Sequence, residues 1–407
     1  MPTRGQTLFL CTLALLIIGV LMVNSASMSV RPVPEGTVGF DAVTEGGQLD
    51  IRTIITSRSA VYLVAALLAM ALASRLPVAA ITDRLLPPAH APDGYVYAGL
   101  GAGVLLIVAV LLAVYIPGIS RSVNGAARWI ALPVVGSMQP SEIAKWAIIV
   151  LLAWYTAAMG RRIRKFLPGL LPAVAAVGIV CTVIVLEDLG TGVLIASAAA
   201  VLLIAAGARV WQFLVFVPVA VVGLGAAIIH SPYRIKRIMT FFDPFADPKG
   251  AGYHMIQSMS TVAGGGLPGR GLGHGIQKFG YLPEDTTDFL FAIICEETGI
   301  VGAAVVISIY LVLGWTIVGI IRDQDRPALR AVAVGVMAMI LIQAMINLVV
   351  VTGMGPTKGI ALPLLSAGGT GWVLTAASIG LVIAIDRATP RPAGQTEPNT
   401  AAQPLCA

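Results

Sequence analysis

Acidic side chains are concentrated in one stretch of the sequence, YLPEDTTDFLFAIICEETG, which covers residues 281–299. Asp288 lies where this stretch enters a long apolar segment, so we expect it near the N-terminus of a helix. The dipole of that helix would favour the ionised carboxylate, whereas partial burial would favour the neutral acid. A general base needs a balance between these two influences. Asp288 is therefore a candidate base, and the alternative is an ordinary helix cap supplied by Thr286, Thr287 or Asp288.

Two further acids, Glu296 and Glu297, lie eight and nine residues beyond Asp288, which is about 12 Å deeper along a helix. Carboxylates inside an apolar helix are costly unless they have partners. We expect both to face the interior of the protein as structural support. The cations available to neutralise them are Lys145, Arg128 and Lys358.

The motif QPSEIAK places Glu142 and Lys145 three residues apart. They therefore share one face of a helix whose first turn holds Pro140. A lysine inside the membrane normally meets a partner or lines a polar cavity. Two interpretations stay open: a structural ion pair that fixes helix packing, and a pair that binds a ligand.

Two further motifs are basic or rich in glycine. RIKR brings Arg234, Lys236 and Arg237 to the end of an apolar segment, where they could bind a phosphate, a pyrophosphate or lipid headgroups. The run GGGLPGRGLGHG (264–275) contains a GxGxxG pattern. No strand precedes it, so its context excludes a dinucleotide-binding fold. We expect a flexible surface loop, with a mobile loop close to a ligand as the alternative.

The composition indicates what kind of protein positions these groups. The chain has 407 residues, 57% hydrophobic and 11% charged, and its mean hydropathy is +0.90. Soluble proteins carry about 25% charged residues, so we expect an all-α polytopic membrane protein. The net charge of +6 then belongs to loops that orient the chain and does not indicate nucleic-acid binding. The four cysteines form no disulfide or metal-binding pattern.

Ten apolar segments are long enough to cross a bilayer. The first follows Arg4 and has some features of a signal peptide, but its length and the many later spans favour a transmembrane helix. The predicted spans lie near 8–24, 59–74, 94–116, 140–159, 167–186, 189–207, 210–230, 288–321, 328–352 and 369–386.

The basic residues of the short connections favour a topology with both termini in the cytoplasm. Four polar connections then share the outer face, and the longest is a large extracytoplasmic loop at about 231–287. In this interpretation residues 1–387 form a single membrane domain. Residues 388–407 are rich in Pro, Thr and Ala without periodicity, so we expect a disordered cytoplasmic tail.

The outer connections carry several motifs in a fixed order: NGAARWI with QPSEIAK, DLGTGVL, FFDPFADPKGAGYHMIQS, the long stretch from GGGLPGRG to EETGIVG, and GPTKGIALPLLSAGGT. This order resembles the SEDS family, the FtsW, RodA and SpoVE proteins of bacterial division, elongation and sporulation. The resemblance covers roughly residues 120–385, and GPTKG favours the FtsW and SpoVE branch. Thr286 before TD, EETG for EELG, and SAGGTG for SYGG depart from the family pattern but remove no candidate catalytic group.

The resemblance implies a ten-helix peptidoglycan glycosyltransferase of the bacterial cytoplasmic (inner) membrane. Such proteins polymerise lipid II into β-1,4-linked glycan at the outer face, for cell division or cell-shape maintenance. They work among membrane lipids with a class B penicillin-binding protein, which crosslinks the product, and with divisome or elongasome proteins. The family's essential aspartate corresponds to Asp288, and another of its conserved acids corresponds to Glu284.

Inverting transfer needs a base for the acceptor hydroxyl and positive charge for the leaving pyrophosphate. We assign the base to Asp288. The candidate substrate-binding residues are Lys145, Glu142, Arg128, Asn124, Glu284, Arg234, Lys236, Arg237, Lys358 and Ser366, and the candidate supporting residues are Glu296, Glu297, Gln139, Ser141 and Asn347. A divalent cation, Mg²⁺ or Mn²⁺, could share the stabilisation of charge, but the sequence shows no ligand set for it.

Two other functions stay open. A lipid II flippase would need midplane charges accessible from both faces, and often internal repeats. A non-enzymatic scaffold for the transpeptidase would tolerate replacement of Asp288. The polar motifs here gather on one face, which favours surface chemistry and therefore the enzyme.

Overall fold

A computed structural model of the chain describes residues 2–27, 54–88, 92–116, 120–123, 126–132, 136–276, 286–367 and 369–389. Nearly all of the predicted tail, and the candidate residues Asn124 and Glu284, lie outside these ranges. Arg128 lies in a strand, and its side chain is also outside the description.

The described residues are mostly helical. Several helices hold a proline in the first turn, where its missing N–H removes no helical hydrogen bond. The helices are α1 (Arg4–Ser27), α2 (Arg58–Ser74), α3 (Val78–Leu85), α4 (Asp93–Leu112), α5 (Pro140–Met159), α6 (Leu171–Glu187), α7 (Leu189–Ala205), α8 (Val217–Ile229), α9 (Pro232–Phe242), α10 (Tyr253–Gly264), α11 (Leu290–Asp323), α12 (Pro327–Val351) and α13 (Thr370–Arg387).

Over the described ranges, seven helical segments are long and apolar enough to cross a bilayer. The pair α2 and α3, bent by 65° at its break, could form an eighth, and α7 and α8 are shorter apolar helices. Each of the ten predicted segments therefore contains an apolar helix. The segment near 210–230 divides before Pro218: a short 3₁₀ helix (Val210–Val215) precedes α8, which holds this proline in its first turn.

A small antiparallel sheet departs from the all-α prediction. It lies between α4 and α5 and consists of β1 (Ser120–Val123), β2 (Ala126–Leu132) and β3 (Gly136–Met138), with β2 in the centre. Ile130 of β2 pairs with Met138 of β3. Trp129 and Ile130 favour strand, and the stretch is too short and too polar to continue a membrane helix.

The core is formed mainly by the inward faces of α1, α5, α7, α11, α12 and α13, and α2, α4 and α6 add further buried residues. α13 packs along α2 over most of its length, and their ends are joined because Arg387 Nη1 donates to Ser74 O at 3.1 Å. α12 is central and packs on both α5 and α7. Side chains from several distant parts of the sequence therefore converge around one end of α12.

A break in α11 at Gly299 is the main irregularity of the helical frame. Gly299 has φ 67° and ψ −165°, a combination that is available essentially only to glycine. The glycine-rich run (264–275) packs against this break. Arg270 N donates to Glu296 O and Gly271 N to Glu297 O, both at 2.9 Å, and Ile300 N donates to Gly266 O at 3.0 Å. The glycine-rich run was expected to be a flexible surface loop. Its hydrogen bonds to α11 instead make it part of the structure around the break.

Candidate active site

Asp288 lies in a turn directly before α11 and is partly exposed. Phe289 occupies the cap position of α11, and no side-chain hydrogen bond closes it. None of the candidates Thr286, Thr287 and Asp288 occupies the cap position, because the turn continues past all three before the helix begins.

The Asp288 carboxylate lies against the backbone of Gly359, in the loop between α12 and α13. A methyl group built on Gly359 would lie only 2.7 Å from Asp288 Oδ2. A side chain at this position would displace the carboxylate, so glycine is needed for the close approach. Gly359 is exposed, which places the carboxylate at an accessible edge of this loop.

Asn347 connects the two chain segments that meet at Asp288. Its Nδ2 donates to Asp288 O and to Ile360 O, each at 2.8 Å, and its side chain is buried. One amide therefore fixes the turn that carries Asp288 against the loop that carries Gly359. This is the geometry that a supporting residue would have.

Replacing Asn347 by Leu is expected to lower activity more than stability. The variant leaves two carbonyl oxygens without their donor, a loss of about 1–3 kcal/mol of unfolding free energy, and it frees the turn that holds Asp288. Thermal unfolding and the initial rate of the reaction expected from the resemblance measure the two effects. Thr352→Val is the matched control, because among the described residues Thr352 Oγ1 bonds only to carbonyls of its own helix. Equal rates for Asn347→Leu and the control would contradict the positioning role.

Glu142 and Lys145 form the ion pair that their spacing predicts. Lys145 Nζ lies 2.8 Å from Glu142 Oε2, and the two side chains are 2% and 20% exposed. The lysine is therefore enclosed, whereas the carboxylate reaches a more open position. A methyl group on Gly371, in the first turn of α13, would lie 3.3 Å from Glu142 Oε2, so the carboxylate also lies near a positive helix end.

Gln343, which is not among the predicted site residues, joins this ion pair to the Asp288 region. Its Oε1 accepts from Lys145 Nζ at 3.1 Å, and its Nε2 donates to Ala361 O at 2.8 Å. Gln343 and Asn347 are four residues apart on α12, so they share one face. Two amide side chains four residues apart in an apolar helix form a pattern that could have identified Gln343 from the sequence.

Gln139 and Ser141 lie beside the ion pair at the start of α5. Gln139 O accepts from Glu142 N at 3.0 Å. Ser141 Oγ is buried without a hydrogen-bond partner among the described residues, and so is Thr370 Oγ1 of α13. The surroundings of Glu142 therefore contain hydroxyl groups that form no hydrogen bonds among the described residues.

Three cations gather next to Gly359. Arg237 Nη1 donates to Thr357 O at 2.9 Å, and Arg234 Nη2 donates to Val185 O at 2.7 Å. Burial lowers the pKa of Lys358 below its ordinary value, Asp188 opposes this shift, and the positive charges of Arg234 and Arg237 lower the pKa further. Lys358, Arg234 and Arg237 thus form a cationic cluster, and Lys358 directly precedes Gly359, against which Asp288 lies.

The remaining candidates lie apart from this cluster. Lys236 pairs with Asp247 at 3.3 Å, and both side chains are largely exposed. Ser366 is buried, and its Oγ accepts from Leu362 N at 2.9 Å, so its hydroxyl shapes the loop before α13. Within the described residues, no group of three or more His, Cys, Asp or Glu side chains is placed to hold a metal ion.

Glu296 and Glu297 are buried, as expected, and their described partners come from α1, the glycine-rich run and the residue that follows this run. Arg270 lies 3.5 Å from Glu296 Oε1, which also accepts from Ile276 N at 3.0 Å. Ser25 Oγ lies 2.8 Å from both carboxylate oxygens of Glu297, and Gly273 N donates to its Oε2 at 3.0 Å. Of the predicted partners, Lys145 instead pairs with Glu142 and Gln343, and the glycine-rich run brings its own donors to the helix break.

Comparison with known proteins relates this arrangement to one family. A family model for FtsW, RodA and SpoVE, described as cell cycle protein, matches residues 6–391. Stage V sporulation protein E of Bacillus subtilis is 40% identical over 280 residues, which cover 68% of this chain and 76% of that protein. The probable peptidoglycan glycosyltransferase FtsW of Thioalkalivibrio sulfidiphilus is 34% identical over 388 residues, covering 94% and 89% of the two chains.

Two solved structures have a similar fold. A chain from a study of polymerization and crosslinking by a peptidoglycan synthase complex is 26% identical with a TM-score of 0.68, and 94% of this chain and 97% of that chain are covered. The rod shape determining protein RodA of Thermus thermophilus is 23% identical with a TM-score of 0.57, and the coverage is 95% and 97%. The second similarity concerns the fold alone.

Proposed function

The chain belongs to the FtsW, RodA and SpoVE family, and we propose from this that it is a multi-pass membrane peptidoglycan glycosyltransferase. It polymerises lipid II into β-1,4-linked glycan at the outer face of the cytoplasmic membrane. Relatives named probable peptidoglycan glycosyltransferase FtsW, which match most of the chain, support the proposal. In this proposal residues 1–387 are one membrane domain with ten spans, and both termini are cytoplasmic.

The observation that carries the proposal is the position of Asp288 against Gly359, the residue that follows Lys358 of the cationic cluster. Asp288 accepts the proton of the acceptor hydroxyl, and the oxygen attacks the anomeric carbon of the donor. The bond from that carbon to the pyrophosphate oxygen breaks, and the lipid pyrophosphate leaves with the electron pair. The cations stabilise the charge that develops on the leaving group.

The ion pair of Glu142 and Lys145 has a different task in this proposal. Lys145 is enclosed by Glu142 and Gln343, so it acts by holding the Glu142 carboxylate. Glu142 is the more open of the two and can accept hydrogen bonds from sugar hydroxyls or amides. The pair thereby binds the substrate through Glu142 and fixes the packing of α5 on α12.

The partner in this proposal is a class B penicillin-binding protein. A structural relative belongs to a peptidoglycan synthase complex described by its coordination of polymerization and crosslinking. A transpeptidase on the same membrane face, within the divisome or the elongasome, would bind the glycan as it leaves the site around Asp288.

Polymerisation of labelled lipid II by the purified full chain with its partner tests the function. We expect a ladder of glycan chains that a β-1,4-specific muramidase degrades. The broken helix α11, with buried carboxylates at its break, is a feature shared with transporters and keeps a lipid II flippase as the second candidate. Transbilayer movement of lipid II without any polymer would support the flippase and contradict the proposal.

The pH dependence should report Lys358. Because its pKa is lowered, Lys358 loses its proton at a lower pH than an ordinary lysine, whose pKa is about 10.4. As the pH rises through the pKa of Lys358, kcat/KM should fall. Lys358→Arg keeps its charge, so this alkaline fall should move to higher pH. Initial rates across the alkaline range provide the measurement, and Lys249→Arg in the same outer connection is the control. An unshifted fall in Lys358→Arg would contradict the assignment.

A further inference from the structure

A groove lies at the opposite end of the helices from Asp288, between the start of α1 and the end of α11. Its volume is about 430 Å³, within the range of about 300–1,000 Å³ that is usual for small-ligand pockets. The two helices run antiparallel, because Ser25 bonds to Glu297 near one end and Arg4 bonds to Asp323 at the other. Most of the length of α11 therefore separates this groove from the candidate active site, and it has no part in the mechanism above.

Arg4 lies across α11 and is bonded, among the described residues, through only one of its nitrogen atoms. Its Nη1 donates to Asp323 Oδ2 at 2.5 Å and to Gly319 O at 3.2 Å. A methyl group on Gly319 would lie 3.2 Å from Nε and 3.6 Å from Nη2 of Arg4, so this glycine leaves room for the guanidinium. Nε and Nη2 together form a fork of two donors, which suits the oxygens of a carboxylate or a phosphate.

Arg322 adds a second cation to the groove. It is exposed and lines the groove, and it forms no ion pair within the described part of the chain. Of the described residues that line the groove, Asp323 is the one acid, so the two arginines leave a positive net charge. The N-terminus of α1 meets the C-terminus of α11 here, so the two helix dipoles offset each other. An anion is therefore the favoured ligand.

Trp315 indicates what else the ligand contains. Its side chain is 77% exposed and lines the groove, seven residues before Arg322 and on the same face of α11. Tryptophans of membrane proteins are concentrated at the membrane–water interface, which places the groove at the level of the lipid headgroups. Seven residues correspond to about 10 Å along the helix. The groove thus offers an apolar ring on the membrane side and cations on the water side, as a phospholipid requires.

We propose that this groove binds the phosphate headgroup of one anionic phospholipid. Arg4 and Arg322 donate hydrogen bonds to the phosphate oxygens, and Trp315 contacts the glycerol and the start of an acyl chain. The bound lipid thereby joins the start of α1 to the end of α11. In the proposed topology the groove faces the cytoplasmic leaflet, whose surface is negatively charged. Only this choice of leaflet rests on the proposed function.

Binding of defined lipids by the purified, delipidated full chain tests the site. Native mass spectrometry counts the bound molecules of phosphatidylglycerol, which is anionic, and of phosphatidylcholine, which carries the same phosphodiester without a net charge. We expect one phosphatidylglycerol to bind in preference to phosphatidylcholine. Arg322→Gln should weaken its binding by about 10-fold, the loss of one hydrogen bond between charged groups. Trp315→Leu should also weaken it, because the aromatic contact is lost.

Arg84→Gln is the charge-matched control. Arg84 is exposed at the same end of the helices, since its neighbour Asp83 pairs with Arg326, but it lies outside the groove. This variant should bind phosphatidylglycerol as the wild type does.

Inorganic phosphate distinguishes a lipid site from a site for a free anion. Phosphate at the concentration of the lipid should not displace phosphatidylglycerol, because it makes no contact with Trp315. The lipid site is overturned if phosphate displaces the lipid, if phosphatidylcholine binds equally well, or if Arg322→Gln binds as much phosphatidylglycerol as Arg84→Gln. Failure of the proposed function has a separate signature, because lipid binding is measured without lipid II and without polymer.

Discussion

Asp288→Asn should reduce lipid II polymerisation by about 100- to 10,000-fold, the usual loss when a general base is removed. Asparagine has nearly the same shape as aspartate and still fits against Gly359. The bond from Asn347 goes to the backbone oxygen of Asp288, so the turn keeps its anchor. The variant should therefore have a lower kcat, with little change in KM or in thermal stability. Labelled glycan from the purified variant with its partner is the measurement.

Asp247→Asn is the matched control for this experiment. Asp247 lies in the same outer connection, but it is exposed and pairs with Lys236. Hydrogen bonds from Ala251 N and Lys236, together with the Lys236 charge, hold the pKa of Asp247 below its ordinary value. It is thus an ionised acid without a basic role. Glycan chains of wild-type yield from Asp288→Asn would falsify the assignment of the base.

Gly299→Ala should severely destabilise the fold. An alanine methyl group would lie 2.3 Å from Leu267 O and 2.4 Å from Gly269 N, and both are backbone atoms that cannot rotate away. The strained backbone conformation alone costs about 1–3 kcal/mol, and the clash adds to it. We expect a lower thermal unfolding temperature and poor yield of folded protein in the membrane.

Gly178→Ala is the control for this substitution. Gly178 lies within α6, and no atom outside its own helix lies within 4 Å of an added methyl group. Alanine in a helix is favoured over glycine by about 1 kcal/mol, so this variant should be at least as stable as the wild type. Equal unfolding temperatures for the two variants would contradict the account of the helix break.

The helix positions could be predicted because hydropathy is a local property of the sequence. The predicted span near 328–352 is α12 (Pro327–Val351), and the one near 369–386 is α13 (Thr370–Arg387). The pairing of Glu142 with Lys145 could be predicted for the same reason, since both residues lie on one helical turn. The small sheet was missed, because a hydropathy pattern says little about short strands in a polar connection.

The features of the site that could not be predicted from the sequence depend on contacts between segments that are distant in the chain. Arg270 reaches Glu296 only because the glycine-rich run returns to the break at Gly299, and no local pattern in the run indicates that return. Gln343 was missed because its role follows from a lysine almost two hundred residues earlier. The meeting of Asp288 with Gly359 has the same origin: a loop after α12 and a turn before α11 come together only in the folded bundle.

The pairing of the two buried glutamates has a consequence for the way the protein is made. The described partners of Glu296 and Glu297 are Ser25 in α1 and donors within 270–276, and all of them precede the glutamates in the sequence. A ribosome therefore completes every one of these partners before it synthesises the acids. When α11 enters the bilayer, the groups that bond to Glu296 and Glu297 are already present. Because synthesis follows this order, the two carboxylates need not enter the membrane without partners.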